Sequence, residues 1–152
     1  MYKGIYCLVF ENPGCTVSVG ALGPVIFPPG WHMYTGSALG SGGLKRLERH
    51  IALSEARDRR PKWHVDYLLT SDRFVPRYAV YAVTGERLEC RLAEAVGGPG
   101  VPSFGCSDCS CHSHLFYRAA DPTDEICTAF RTLGLVPVTK TIMSLQRGKG
   151  NI

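Results

Sequence analysis

Glu89 lies in Leu88-Glu89-Cys90-Arg91-Leu92, within a run whose apolar residues Leu88, Leu92 and Val96 recur at helical spacing. On a wheel at about 100° per residue, Glu89 projects into the arc of those three residues, whereas Glu86 and Glu94 project away. An acid on the core side of a short helix is costly unless a cation or hydrogen bonds receive it. Glu89 therefore reads as a site residue on position alone. Arg46 and His50 are four apart, which makes them neighbours on one flank of a second helix. Asp66 and His64 share Trp63-His64-Val65-Asp66-Tyr67-Leu68-Leu69, where one face of a strand would present both. The bland reading of Asp66 is an aspartate bonded to local backbone. The cations Lys45, Arg46, Arg49, Arg57, Arg59, Arg60 and Lys62 fall in one window, with Arg147 and Lys149 in a glycine-bearing tail. Alone, that window fits a solvated helix face and a basic loop. Beside the tyrosine strings described below, it reads as the electrostatic footprint of nucleic-acid binding. Cys106-x-x-Cys109-x-Cys111-x-x-His114, with His112 inside it, holds ligand types suited to zinc. The spacing is too compact for the common two-knuckle sites. A tight loop of buried thiols without metal is the expectation, and a structural Zn²⁺ on Cys106, Cys109, Cys111 and His114 is the alternative.

The elements that must position these residues can be read along the chain. Residues 3–10 read as a strand, and Asn12-Pro13-Gly14 as a turn. Residues 16–19 alternate and read as a second strand paired back on the first. Val25 to Phe27 and His32 to Thr35 read as two further strands. Gly40 to Gly43 leads into a helix whose core stripe is Leu44, Leu47 and Ile51. Residues 63–69 form a short segment of unsettled state. Val75 to Val83 reads as a strand, and Thr84 as the N-cap of a helix to about Val96, stopped by Gly97-Gly98-Pro99. After the Cys/His loop come a strand at Leu115 to Tyr117, a helix opened by Asp121-Pro122 and ending near Gly134, and an edge strand within residues 135–141.

At 152 residues the chain is long enough to bury a core as a single domain. The expected division is a core over about 1–97 and a Cys/His loop with C-terminal extension over about 98–152. Hydrophobic residues make up 45% and charged ones 20%, as in ordinary soluble domains. No stretch has the apolar length of a membrane span, and the N-terminus reads as a strand rather than a signal peptide. A cytoplasmic location is expected. The net charge of +4 is modest, so its clustering says more than its size. Seven cysteines, an odd number, argue against a disulfide framework, and Cys7 and Cys90 read as small core residues.

Two further strings complete the pattern. The first is Lys3-Gly4-Ile5-Tyr6-Cys7-Leu8-Val9-Phe10, and the second is Tyr34-Thr35-Gly36-Ser37 followed by the basic helix. Tyrosine, glycine, small hydroxyl, then Arg and His four apart resembles the GIY-YIG nuclease superfamily. Trp63 to Leu69, Leu88 to Cys90 and Phe104 to Tyr117 are similar to the Uri-like branch, as is an extra hairpin between the two tyrosine strings. The threonine in Tyr34-Thr35-Gly36 departs from the isoleucine of the pattern. The resemblance implies an α/β (α+β) fold with a small, mostly antiparallel sheet flanked by helices, an inserted hairpin and a C-terminal extension. It implies a metal-dependent endonuclease that hydrolyses DNA phosphodiester bonds using one Mg²⁺ or Mn²⁺, and it is compatible with a role in DNA repair. Matched residue by residue, Tyr6 and Tyr34 face a common site, Arg46 contacts phosphate, His50 follows the arginine, and Glu89 binds the metal, with Asp66 as the alternative ligand. Lys45, Arg49, Arg57, Arg59, Arg60 and Lys62 would hold the DNA. Asp108 or His114 would face the cleft. Tyrosine is a poor base at its ordinary pKa of about 10, so a nearby Arg and a metal-bound water are expected to favour the phenolate. The rival reading is a non-catalytic nucleic-acid-binding module, zinc-stabilised or not. No membrane and no protein partner are expected.

Overall fold

The computed structural model describes residues 2–57, 60–106 and 111–142. Arg59, Asp108, Cys109, Arg147 and Lys149, singled out above, lie outside the described residues.

The centre is a five-stranded sheet in the order β6-β4-β1-β5-β7, with every pairing antiparallel. Its strands are β1 (Gly4–Asn12), β4 (Gly30–Ala38), β5 (Val75–Val83), β6 (Leu115–Arg118) and β7 (Val138–Thr141). Strands β2 (Cys15–Ser18) and β3 (Pro24–Phe27) make a separate two-stranded hairpin. The sequence expectation that residues 16–19 pair with β1 is therefore corrected. Both long edges of β1 are taken by β4 and β5, so the segment after Asn12-Pro13-Gly14 pairs with the next apolar segment instead.

The helices are α1 (Lys45–Ala56), α2 (His64–Leu69), α3 (Glu89–Val96) and α4 (Thr123–Thr132). Strand β1 is the middle of the sheet, and its two faces feed two cores. Tyr6, Leu8 and Phe10 pack with Leu44 and Leu47 at α1, with Val65, Leu68 and Leu69 of α2, and with Phe27 and Phe104. Ile5, Cys7 and Val9 pack with Leu88, Leu92 and Val96 around α3 and with Ile126 and Phe130 of α4. The unbroken apolar run of β1 follows from its being covered on both sides.

Two element boundaries differ from the sequence reading. Residues 64–69 form a helix, because the Asp66 carboxylate accepts the backbone N–H groups of Lys62 and Trp63, each at 2.9 Å, and so closes the first turn. Helix α3 starts at Glu89 rather than after Thr84. The Thr84 hydroxyl accepts the Glu86 N–H at 3.2 Å and holds a turn instead of a cap. This late start puts Glu89 in the first turn of α3. The expected helix after Asp121-Pro122, the strand at 75–83 and the edge strand β7 are all present.

Candidate active site

Both tyrosine strings are set by one close approach in the β1–β4 ladder. Tyr6 lies opposite Gly36, and Gly4 opposite Ala38. A Cβ on Gly36 would stand 2.6 Å from the ring carbon and hydroxyl oxygen of Tyr6. A Cβ on Gly4 would collide with the Ala82 carbonyl oxygen. The glycines therefore make room, and the Tyr6 ring lies across the neighbouring strand. Tyr34 stands two residues from Gly36 on the same face, with its ring centroid 6.4 Å from that of Tyr6.

Helix α1 brings its cation and imidazole to that face. The Tyr6 hydroxyl donates to Nε2 of His50 at 2.9 Å. Nδ1 of His50 faces Oδ1 of Asp66 at 4.0 Å, which favours the tautomer with its proton on Nδ1. Burial lowers the pKa of His50 to about 4; Asp66 opposes this, and Arg46 and Arg49 reinforce it. His50 is thus a neutral acceptor at neutral pH. Tyr6 is only 1% exposed. Desolvation drives its pKa well above the tyrosine range, Tyr34 adds to the rise, and Arg46 pulls the other way. Without a metal ion beside it, burial outweighs the arginine and Tyr6 keeps its proton. Arg46 donates from Nη1 to the Ser37 carbonyl at 3.1 Å and packs over the Trp63 ring.

The ladder of β4 with β6 ends at the Tyr34–Leu115 pair. Beside it, residues from both faces reach one cleft of about 370 Å³. Tyr6, Tyr34, Arg46 and His50 line it from the α1 side, and Glu89 from the α3 side. Oε2 of Glu89 is buried and, among the described residues, has no hydrogen-bond partner. An orphaned carboxylate oxygen on a cleft that also carries the hydroxyls of Tyr34, Thr35 and Ser37 fits a hard divalent ion such as Mg²⁺ or Mn²⁺, which takes one or two carboxylates and keeps several waters. Glu86 is exposed on the preceding turn. A larger hollow of about 540 Å³, between β2 and the end of α2, brings no comparable set together.

Asp66, the alternative metal ligand, does not line this cleft. Its Oδ2 is taken by two backbone amides and its Oδ1 faces His50, so it orients the imidazole from behind. Among the DNA-binding candidates, Lys62 lines the cleft. Arg49, Arg60 and Lys62 continue beside it in an adjoining depression. Lys45 is exposed one turn away, and Arg57 is the left-handed C-cap of α1 with φ 48°. Sequence reasoning missed Arg87, which lines the cleft from the turn before α3, and gave Trp63 and His64 no role in it. Nδ1 of His64 accepts the Gly105 N–H at 2.7 Å and fastens the Cys/His loop to α2. Position within Trp63 to Leu69 was the available signal for both.

The Cys/His loop departs from the reading of free thiols at Cys111, while Cys109 lies outside the described residues. Cys90 and Cys111 are joined as a disulfide, so Cys90 is not a simple core thiol. Cys106 donates to the Phe104 carbonyl, and among the described residues the close ligand group is Cys90, Cys111 and His114. His114 lines the cleft, as expected of one loop residue. Among the described residues, no helix is long and apolar enough to cross a membrane.

Comparison with known proteins adds one match. Neither the curated proteins nor the solved structures give a match to this chain. The model of the domain of unknown function DUF123 matches residues 5–135, from the first residues of β1 to the end of α4 and just beyond, so it takes in every cleft residue described above. The chain belongs to the DUF123 family.

Proposed function

We propose that this chain is a GIY-YIG-type endonuclease of the Uri-like branch that hydrolyses DNA phosphodiester bonds. The observation that carries this reading is the meeting of Tyr6, Tyr34, Arg46 and His50 with the orphaned carboxylate oxygen of Glu89 in one cleft. Glu89 would hold one Mg²⁺ or Mn²⁺. When bound, such an ion supplies positive charge that polarises phosphate and acidifies water. The rest falls to the chain itself. Arg46 holds the attacked phosphate through the guanidinium nitrogens not spent on Ser37. Because Tyr6 donates its proton to neutral His50, its oxygen lone pairs remain to orient a water or accept its proton. Proton transfer from Tyr6 to His50 accompanies that step, so no free phenolate accumulates. Asp66 stabilises the imidazolium that results, as a carboxylate behind a catalytic histidine does. Lys62, Arg49 and Arg60 would carry the flanking phosphates. A role in DNA repair fits such chemistry.

The rival binding-module reading draws on Trp63, which is 50% exposed with Lys62 and Arg46 against its ring. A base can stack on such a platform without being cut.

The test is cleavage of supercoiled, branched and single-stranded DNA with Mg²⁺ or Mn²⁺. Glu89→Gln should lower cleavage by orders of magnitude and leave metal-free DNA affinity unchanged or slightly raised, since one negative charge leaves the cleft. Glu86→Gln, on the exposed turn, should cut normally. Full activity of Glu89→Gln would remove the metal from Glu89. Failure of the unaltered chain to cut any of these forms would favour the binding module.

A further inference from the structure

The geometry points to a second, soft-metal site at Cys90, Cys111 and His114, distinct from the hard-ion position at Glu89 and independent of the nuclease reading. The three residues come from the first turn of α3, the Cys/His loop and the residue before β6. Their ligand atoms all lie within 4.8 Å of one another. His114 is buried, and its ring is set from behind: Nδ1 is 2.8 Å from the Thr35 hydroxyl, while the Thr35 N–H donates to the His114 carbonyl at 2.8 Å. With the proton on Nδ1 donated to Thr35, Nε2 keeps its lone pair and faces Cys90 Sγ at 3.9 Å. A histidine whose far nitrogen is hydrogen-bonded, aimed at two sulfurs, is the arrangement that zinc ligands adopt. Two thiolates and an imidazole suit tetrahedral Zn²⁺ and not Mg²⁺, with water able to complete the set.

The sulfurs that would bind the ion are the ones joined in the disulfide. Binding therefore requires reduction. A dithiol passes two electrons and two protons to the Cys90–Cys111 bond and becomes a disulfide itself; Zn²⁺ then displaces one proton from each thiol. The site differs from the loop-only set read in the sequence, because Cys90 comes from α3. Its location gives it a purpose. Cys90 follows Glu89 directly, so an ion here fastens the first turn of α3 to the loop and fixes where the Glu89 carboxylate points.

The test uses the full chain, reduced with a dithiol, desalted without oxygen and titrated with Zn²⁺ or Co²⁺. One equivalent should bind, Co²⁺ should give thiolate charge-transfer and tetrahedral absorption bands, and zinc should protect Cys90 and Cys111 from alkylation as located by mass spectrometry. The oxidised chain should show no cobalt–thiolate bands and no zinc-dependent change in alkylation of Cys90 or Cys111. Cys90→Ser should abolish the stoichiometric ion, and Thr35→Val should weaken affinity about 10- to 100-fold. Because protection is read on the unaltered chain, a misfolded variant does not obscure the result. A reduced chain that gives no cobalt–thiolate absorption, or zinc that leaves Cys90 freely alkylated, would overturn the site. Unchanged affinity in Thr35→Val would overturn the part assigned to His114.

Discussion

Gly36 matters because of what lies across from it. The Tyr6 ring occupies the space a side chain would need, so the smallest addition is a sensitive probe. Gly36→Ala should destabilise the fold by about 1–3 kcal/mol, the usual range for forced overpacking, and should displace the Tyr6 hydroxyl from His50. Denaturant unfolding measures the first, and the Tyr6–His50 distance in a crystal structure of the variant measures the second. An alanine tolerated without loss would mean that the ring has another place to go. At this scale much of the site was legible. The spacing of Tyr6, Tyr34, Arg46 and His50 was in the chain, and the buried arc of α3 identified Glu89. The protonation of Tyr6 was not legible, because it depends on how completely α1 and the sheet enclose the hydroxyl. Nor was the Asp66 role, since a carboxylate in sequence does not say whether amides or an ion will receive it. Cys90 was misread because its partner is 21 residues away along the chain.

Between elements, α1 and α2 meet through the His50–Asp66 contact, and β4 packs its own histidine, His32, against the aromatic rings of Phe27 and Phe74. Burial lowers both histidines from the ordinary 6.5 to about 4. Between those values the unfolded chain binds more protons than the folded one, so stability rises with pH across the window. The stabilisation is fully present above about pH 6.5 and is lost as pH falls towards about 4, by up to roughly 3 kcal/mol per histidine. Urea unfolding at pH 7, 6 and 5 should show a falling midpoint, most of it above the carboxylate range. A midpoint constant from pH 7 to 5 would mean that both rings protonate within the fold. The sequence located nearly all the strands, since alternation and apolar runs are local signals. It did not locate the partner of β2 or the start of α3. Strand pairing is decided by which edges remain available, and Thr84 offers a hydroxyl that serves a turn as well as a cap.

Taken as a whole, the molecule carries a net charge of +4, and much of its cationic surface gathers around one cleft: Arg46, Lys62 and Arg87 within it, Arg49 and Arg60 beside it. DNA affinity should therefore fall steeply with salt, with a slope in log–log form of about −0.9 for each phosphate neutralised on a duplex. Lys62→Ala and Arg49→Ala should each make that slope shallower by about one. A flat titration would dismiss nucleic acid as the partner. The sheet that carries this surface also divides the site. The tyrosines, Arg46 and His50 rest on the core shared with α1 and α2, while Glu89 rests on the core shared with α3 and α4. The two halves meet through the shared strand β1 and the Cys90–Cys111 link, and otherwise rest on separate packing. A lineage could therefore retune how it grips a backbone while keeping its carboxylate, or discard the carboxylate and survive as a binder. The same partition gives an engineer two dials on one scaffold.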